Sequence, residues 1–251
     1  MLQLCLHAMS FLNVGIPVIS VEMNQEALDR GLGVIKKNYD IQVQRGRMSA
    51  EEVDKRMSLI RGTTDYADIS DVDVIIEAIY ENIDVKVETF KKMDAVAKPG
   101  AVLASNTSGL DIYRMAAATS RPEAVIGLHF FSPANVMKLL EVVRGENTSK
   151  EVIATSMKLG RTLNKIAVLS GNAPGFIGNR MLAGYTRQAG EIILQGATPY
   201  QVDNAILGFG MPMGPFQMND LVGLDLGWRA RKLNGIKPED VPITARVADK
   251  L

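Results

Sequence analysis

The chain has 251 residues, of which 47% are hydrophobic and 22% are charged. This balance is typical of a globular protein with a substantial buried core, and the length predicts one or two domains. Lys plus Arg and Asp plus Glu both total 28, so the sequence lacks the basic excess of a nucleic-acid-binding surface.

One cysteine and two histidines exclude an intramolecular disulfide framework and a Cys/His zinc cluster, so we expect no metal site. This cysteine usage predicts a reducing compartment, the cytoplasm. No apolar run approaches the roughly 18 residues that span a bilayer. Residues 1–7 also lack the basic region and cleavage pattern of a secretory signal. We therefore expect neither a nucleic acid nor a membrane as a partner.

Short runs of β-branched, apolar residues alternate with helical patterns over the first two-thirds of the chain. The runs predict strands at residues 17–22, 72–79, 101–105, 124–129 and 138–143. Ser49 and Glu52 have the spacing of a capping box, and Pro99 ends the helix that precedes it. The alternation predicts an α/β fold with a mostly parallel, Rossmann-like sheet covered on both faces.

The pattern changes after about residue 170. Gly171–Gly175 is a cluster of turn residues, and residues 176–195 read as one long helix. Thr198 and Pro199 then fit the N-cap and first position of another helix. We predict a Rossmann-like domain over residues 1–172 and an all-helical domain over residues 173–251.

Polar residues at the ends of the predicted strands are the first candidates for a binding site, because open α/β sheets bind ligands there. Glu22 has the position of an acid that bonds the ribose of a dinucleotide, although an acid can also end a strand without binding anything. Ser105–Ser108 follows another strand, where hydroxyls either cap the next helix or contact a ligand.

His129 ends an apolar strand, and Glu141 lies twelve residues later in the next strand. If the connection between these strands brings the two side chains together, they form a general base whose tautomer is fixed by the carboxylate. A histidine with a purely structural role is the alternative.

Asn179 lies near the start of the long helix, where an amide could polarise a carbonyl or simply cap the helix. A group of basic residues could meet a phosphorylated substrate or form a solvated helix face: Lys36, Lys37, Arg45 and Arg47.

Five motifs follow one another along the chain: Glu77–Asn82, Ala104–Ser108, Gly127–Val143, Ala173–Arg180 and Met211–Phe216. Together they resemble the signature of the 3-hydroxyacyl-CoA dehydrogenases, from about Ala8 to the C-terminus. The Phe-Phe-Ser-Pro sequence beginning at Phe130 is most similar to the dehydrogenase part of multifunctional β-oxidation enzymes.

This resemblance implies NAD-dependent oxidation of (S)-3-hydroxyacyl-CoA to 3-oxoacyl-CoA in fatty-acid β-oxidation. It implies that His129 is the base and that Glu141 orients it. Ser108 and Asn179 match positions that contact the substrate and shape the active site, and Arg45 matches a basic residue offered to CoA. It also implies that the chain forms a homodimer or is part of a multifunctional β-oxidation enzyme.

For the cofactor, the resemblance implies that Glu22 bonds the ribose and that Glu81 and Lys86 line the pocket. Ser108 also matches a cofactor-binding position, and Ser132 matches a position near the nicotinamide. Ser132 departs from the family pattern, since single-function relatives often have asparagine there.

The beginning of the chain also departs from the family pattern. Family members begin with a strand and a Gly-x-Gly-x-x-Gly turn that binds the pyrophosphate. Residues 1–7 contain no glycine, and Gly31 and Gly33 lie in a predicted helix without the third glycine. Relatives also continue beyond this C-terminus with more helices. We therefore expect a chain truncated at both ends, without the first strand and phosphate loop: a fragment, the product of a misplaced start codon or a degenerate copy.

Two alternatives remain at this stage. One is a catalytically silent acyl-CoA-binding or assembly fragment. The other is a related β-hydroxyacid dehydrogenase with a lysine base, against which the His129–Glu141 pair argues.

Overall fold

The computed structural model describes residues 2–224, 227–228, 231–232, 235–241 and 243. The chain divides into two compact units, Met1–Ile177 and Gly178–Leu251. The predicted domain boundary after residue 172 falls in the loop before this division.

The first unit contains all the strands that the structure describes. They are β1 (Val18–Val21), β2 (Ile60–Thr63), β3 (Val74–Glu77), β4 (Val102–Ser105), β5 (Val125–Phe130), β6 (Leu139–Arg144) and β7 (Ile166–Gly171). Its α-helices are α1 (Leu2–Leu12), α2 (Gln25–Gln44), α3 (Ala50–Met57), α4 (Ile83–Val96), α5 (Ile112–Ala116) and α6 (Lys150–Thr162). All five predicted strands are present with small differences at their ends, whereas β2 and β7 were not predicted.

The strands form two sheets. A two-stranded sheet pairs β1 with β2 in parallel, and a five-stranded sheet has the order β3-β4-β5-β6-β7. Every pair of the larger sheet is parallel except β5 with β6, which is antiparallel. This arrangement confirms the predicted mostly parallel, Rossmann-like α/β fold.

Helices cover both faces of the larger sheet because alternate residues of its buried strands point to opposite sides. On one face, Ala104 and Leu128 belong to an apolar cluster with α1, α2 and α6. On the other face, Leu103 and Val125 pack with Phe90 of α4 and with α5. This packing fixes the carboxyl ends of β4 and β5, where the candidate site lies.

One predicted helix cap forms only in part. The Ser49 hydroxyl accepts a hydrogen bond from the Glu52 amide, as expected at the start of α3. The Glu52 carboxylate, however, bonds Arg56 one turn later rather than reaching back to Ser49. An ion pair along the same helix thus replaces the second half of the predicted capping box.

The second unit is helical where it is described. It contains α7 (Gly178–Leu194), α8 (Pro199–Phe209), α9 (Pro215–Val222) and a 3₁₀ turn (Pro238–Asp240). The predicted cap of α8 is complete, since Thr198 and Gln201 form a reciprocal capping box. Asp203 in turn caps α9 by accepting the amides of Phe216 and Gln217. Among the described residues, no helix has the length and apolarity needed to cross a membrane.

Candidate active site

His129 and Glu141 face each other across the only antiparallel pair of the larger sheet. They are direct register partners on β5 and β6, and the imidazole Nδ1 lies 2.7 Å from the carboxylate Oε2. Only 5% of His129 and 1% of Glu141 is exposed. The two side chains therefore lie within hydrogen-bonding distance, as predicted, and are shielded from solvent.

The surroundings of this pair restrict how either side chain can turn. Glu141 Oε1 accepts a hydrogen bond of 2.9 Å from the backbone amide of Ile177. The Phe131 and Phe176 rings lie 4.5 and 5.8 Å from the imidazole, measured between ring centres. Each oxygen of the Glu141 carboxylate therefore accepts a hydrogen bond, and one of these bonds fixes Nδ1 of the imidazole. Nε2 is then the ring nitrogen that can accept a proton from a ligand.

A second polar cluster lies where β4 ends. Glu81 Oε1 accepts hydrogen bonds from the Thr107 hydroxyl at 2.6 Å, the Ser108 amide at 2.9 Å and the Ser108 hydroxyl at 3.0 Å. Burial alone would raise the pKa of Glu81. The Thr107 hydrogen bond, the Lys86 ammonium and the two Ser108 hydrogen bonds outweigh burial and lower that pKa below its usual value. Glu81 is thus held as a carboxylate.

Beneath this cluster lies a buried ion pair. Lys86 Nζ is 2.6 Å from Glu77 Oε1 and 3.4 Å from Glu81 Oε2. Glu77 also accepts hydrogen bonds from the Ser105 hydroxyl and the Ile79 amide. Lys86 is only 1% exposed, and its ammonium group stabilises the negative charge of Glu81. Its predicted contact with the cofactor stays a prediction.

Two residues of the site were not among the predicted site residues. Glu77 lies in the first motif. Lys86 follows nine residues later in the next helix and Ser105 lies on another strand, so no helical or strand spacing indicates the buried ion pair. Asn106 accepts the backbone amide of Phe130 at 2.8 Å, which ties the end of β4 to the end of β5. Asn106 lies inside Ser105–Ser108, which the sequence already indicated as a candidate binding segment, so it could have been included among the site residues.

Four other predicted site residues belong to separate elements of the chain. Glu22 directly follows β1 and donates its backbone amide to the carbonyl of Thr63. Ser132 is exposed in the loop after β5, and Arg45 is exposed at the C-terminal end of α2. Asn179 is the second residue of α7 and belongs to the second unit. The roles of these four residues stay predictions.

Comparison with known proteins decides the family. The family model described as 3-hydroxyacyl-CoA dehydrogenase, NAD binding domain, matches residues 6–173, and the model of the C-terminal domain matches residues 175–249. The chain belongs to the 3-hydroxyacyl-CoA dehydrogenase family. Members of this dehydrogenase family are oxidoreductases, and the matching domain confirms NAD as the predicted cofactor.

Relatives of this chain include longer proteins. A peroxisomal bifunctional enzyme of Danio rerio is 45% identical over 92% of the chain. A peroxisomal fatty acid beta-oxidation multifunctional protein of Arabidopsis thaliana is 44% identical over 82% of it. The chain spans 32% and 29% of these two proteins, about a third of their length.

Solved dehydrogenases match nearly the whole chain. FadB2 of M. tuberculosis is 34% identical with a TM-score of 0.87, and 98% of this chain aligns with 90% of that one. The (S)-3-hydroxybutyryl-CoA dehydrogenase PaaH1 of Ralstonia eutropha is 30% identical with a TM-score of 0.89, and 99% of this chain aligns with 89% of that one.

Donors and acceptors among the predicted site residues of this chain fit parts of NAD. A carboxylate at Glu22 and hydroxyls at Ser108 and Ser132 suit ribose and amide groups, which both donate and accept hydrogen bonds. Gly31 and Gly33 lie inside α2, so they form no phosphate-binding turn. In the described ranges, no group of three or more His, Cys, Asp or Glu side chains is placed to hold a metal ion.

Proposed function

We propose that this chain performs the dehydrogenase step on (S)-3-hydroxyacyl-CoA, giving 3-oxoacyl-CoA, and that His129 is the general base. The observation that supports this most directly is the 2.7 Å contact between His129 Nδ1 and Glu141 Oε2 on neighbouring strands. A carboxylate so placed fixes the imidazole tautomer and leaves Nε2 free to take a proton.

In this mechanism, His129 Nε2 accepts the proton of the C3 hydroxyl as the C3–O bond becomes a carbonyl. The imidazole becomes positively charged, and the adjacent Glu141 carboxylate stabilises that charge. The stabilisation is strong because the pair is buried, where charges are weakly screened. When bound, NAD supplies the acceptor for the hydride that leaves C3.

The Ser108 hydroxyl is proposed to contact both substrate and cofactor. Glu81 accepts the hydrogen bonds of the Ser108 amide and hydroxyl, which fixes the loop after β4. Asn179 is proposed to polarise the substrate carbonyl, and Arg45 to meet CoA. Glu22 and Ser132 are assigned to the ribose and nicotinamide ends of NAD.

The test is a steady-state assay of NAD reduction with (S)-3-hydroxybutyryl-CoA, alongside its (R)-enantiomer. We expect turnover with the (S)-substrate alone, because the base fixes the C3 oxygen and bound NAD would accept hydride from one direction only, and only one enantiomer meets both conditions. Absence of turnover in protein that binds both NADH and acyl-CoA would contradict the proposal.

A catalytically silent acyl-CoA-binding or assembly fragment is the second candidate. The observation that favours it is that the two sheets do not join, which leaves Glu22 on the smaller one. Titration with NADH separates the candidates. Micromolar binding supports the dehydrogenase, and retained acyl-CoA binding without NADH binding supports the silent fragment.

The cellular setting is also a proposal. The single cysteine favours a reducing compartment such as the cytoplasm, although several relatives are named as peroxisomal. Assembly as a homodimer, or within a multifunctional β-oxidation protein, can be tested by measuring the mass of the purified protein in solution.

A further inference from the structure

The turn between β5 and β6, residues 131–138, begins directly beside the proposed base. The ring centre of its first residue, Phe131, lies 4.5 Å from the centre of the His129 imidazole. Ser132, the next residue, is exposed and is assigned to the nicotinamide end of the cofactor. The shape of this turn therefore decides where an aromatic ring and a hydroxyl lie relative to His129.

Two backbone hydrogen bonds give the middle of the turn its shape. The amides of Val136 and Met137 both donate to the carbonyl of Pro133 at 2.9 Å. These bonds join groups of the turn to one another, so they fold it without fixing it against the sheet. The position of the turn depends on bonds to other elements.

Lys165, which directly precedes β7, bonds the turn through its side chain. Its ammonium group donates to the carbonyl of Ala134 and, at 2.7 Å, to the carbonyl of Met137. The Ser10 hydroxyl of α1 donates to the same Ala134 carbonyl at 3.1 Å. Donors from two separate segments therefore meet at one carbonyl of the turn, and Lys165 also reaches a second carbonyl.

The charge of Lys165 makes its hydrogen bonds stronger than those of a neutral donor. Hydrogen bonds from a charged group are roughly twice as strong as neutral ones. Burial lowers the pKa of the half-buried Lys165 ammonium, and no carboxylate among the described residues forms an ion pair with it. Its backbone is fixed as well, because the amide of Ile166 donates to the carbonyl of Lys138 at 2.8 Å. The ammonium group thus extends from a fixed strand end to the carbonyls of the turn.

We propose that Lys165 is a positioning residue, which holds the β5–β6 turn in the shape that keeps Phe131 against the His129 imidazole and presents the Ser132 hydroxyl to the cofactor. The first part concerns the protein without a ligand, and the second part rests on the proposed function. A turn that already has its binding shape loses little conformational entropy when a ligand binds, so the affinity is higher. Lys165 thus acts through the turn and not on the substrate.

The first test compares the wild-type protein with Lys165→Met and Lys165→Arg, all without a ligand. Met keeps an unbranched side chain but removes the charge and the donors, whereas Arg keeps both. Hydrogen exchange at the amides of Val136 and Met137, followed by NMR, should be at least about tenfold faster in Lys165→Met, and Lys165→Arg should restore most of the protection. The NMR signals of the His129 ring should also shift in Lys165→Met, because the ring current of Phe131 acts on them.

Lys158→Met is the matched control, since it removes an exposed ammonium group from α6. It should leave the exchange of the turn and the His129 signals unchanged. Equal results for Lys158→Met and Lys165→Met would overturn the proposal. So would an increase in exchange at the Leu128 amide of β5 as large as that at Met137, because it would indicate a general loss of stability.

Titration of the same variants with NADH tests the second part. We expect Lys165→Met to raise the Kd for NADH about tenfold, and Lys165→Arg to remain close to the wild-type protein. An unchanged Kd in spite of a loosened turn would overturn the presentation of Ser132 to the cofactor. If the wild-type protein binds no NADH, this second part fails together with the proposed dehydrogenase reaction. Hydrogen exchange and the His129 signals still decide whether Lys165 positions the turn.

Discussion

The two sheets of the first unit differ in how deeply their strands are buried. Every residue of β4 and β5 is buried, whereas every residue of β1 is only half-buried. The His129–Glu141 pair lies within the larger sheet, and Glu22 follows the smaller one. The proposed base therefore lies on a fully buried strand, while the proposed ribose contact follows a half-buried one.

The largest effect is expected from removing the base on the larger sheet. His129→Ala should lower kcat by roughly 10² to 10⁴, the range for loss of a general base. Steady-state NAD reduction measures the change, and NADH titration provides the control. We expect NADH affinity to be retained, since the substitution deletes a proton acceptor and no proposed cofactor contact. A kcat within a factor of two of the wild-type value would remove His129 from the mechanism.

The next largest effect concerns β3, the end strand of the larger sheet. Glu77→Gln should lower the free energy of unfolding by about 3 kcal/mol, because it leaves the buried Lys86 ammonium without its nearest carboxylate. Urea denaturation measures this change. Asp84→Asn is the matched control, since it breaks the exposed Arg114–Asp84 pair and should change little. Equal effects would show that burial does not set the value of the Glu77–Lys86 pair.

A smaller effect on turnover is expected at the partner of the base. Glu141→Gln keeps the shape and a hydrogen bond to His129 but removes the negative charge. It should lower kcat about thirtyfold, which corresponds to about 2 kcal/mol for a hydrogen bond to a charged group. Glu146→Gln, in the exposed turn after β6, is the control and should leave kcat unchanged. An equal loss of NADH affinity in Glu141→Gln would indicate a folding defect instead.

The smallest effect is expected in α1, where the buried His7 makes stability depend on pH. Burial is the main cause that lowers the His7 pKa to about 4, and a hydrogen bond to Asn106 opposes it. The unfolded chain binds a proton near pH 6.5, so stability is full above that pH and falls as the pH drops towards 4. Between about pH 7.5 and pH 5 the loss is about 2 kcal/mol.

His7→Phe should therefore flatten this part of the stability profile, while keeping an aromatic ring beside Phe130. Urea denaturation at several pH values measures it. If the variant and the wild-type protein lose stability equally over this range, another group is responsible.

Much of the larger sheet could be predicted because its strands carry strong local signals. Buried strands such as β4 and β5 are continuous apolar runs bounded by turn residues. The pairing of His129 with Glu141 could also be anticipated, since both lie on such strands with a short connection containing Pro133. In this part of the chain, local pattern and tertiary structure agree.

The remainder depends on contacts that no local pattern carries. β2 was missed because Arg61 and Gly62 interrupt its apolar sequence, and its strand character comes from pairing with β1. β7, by contrast, begins with an apolar run that the sequence did show. The Glu81–Thr107 hydrogen bond and the Asn106–Phe130 hydrogen bond each join segments more than twenty residues apart, which no local pattern indicates.

The hydrogen bond from the Ile177 amide to Glu141 has a practical consequence for anyone who wishes to produce the first unit by itself. Stopping at residue 172 would delete both this amide and the Phe176 ring beside the imidazole. Such a product could keep its strands yet lose the alignment of its proton acceptor. A stop codon placed after Ile177 retains both groups, so five extra residues separate an informative fragment from a misleading one.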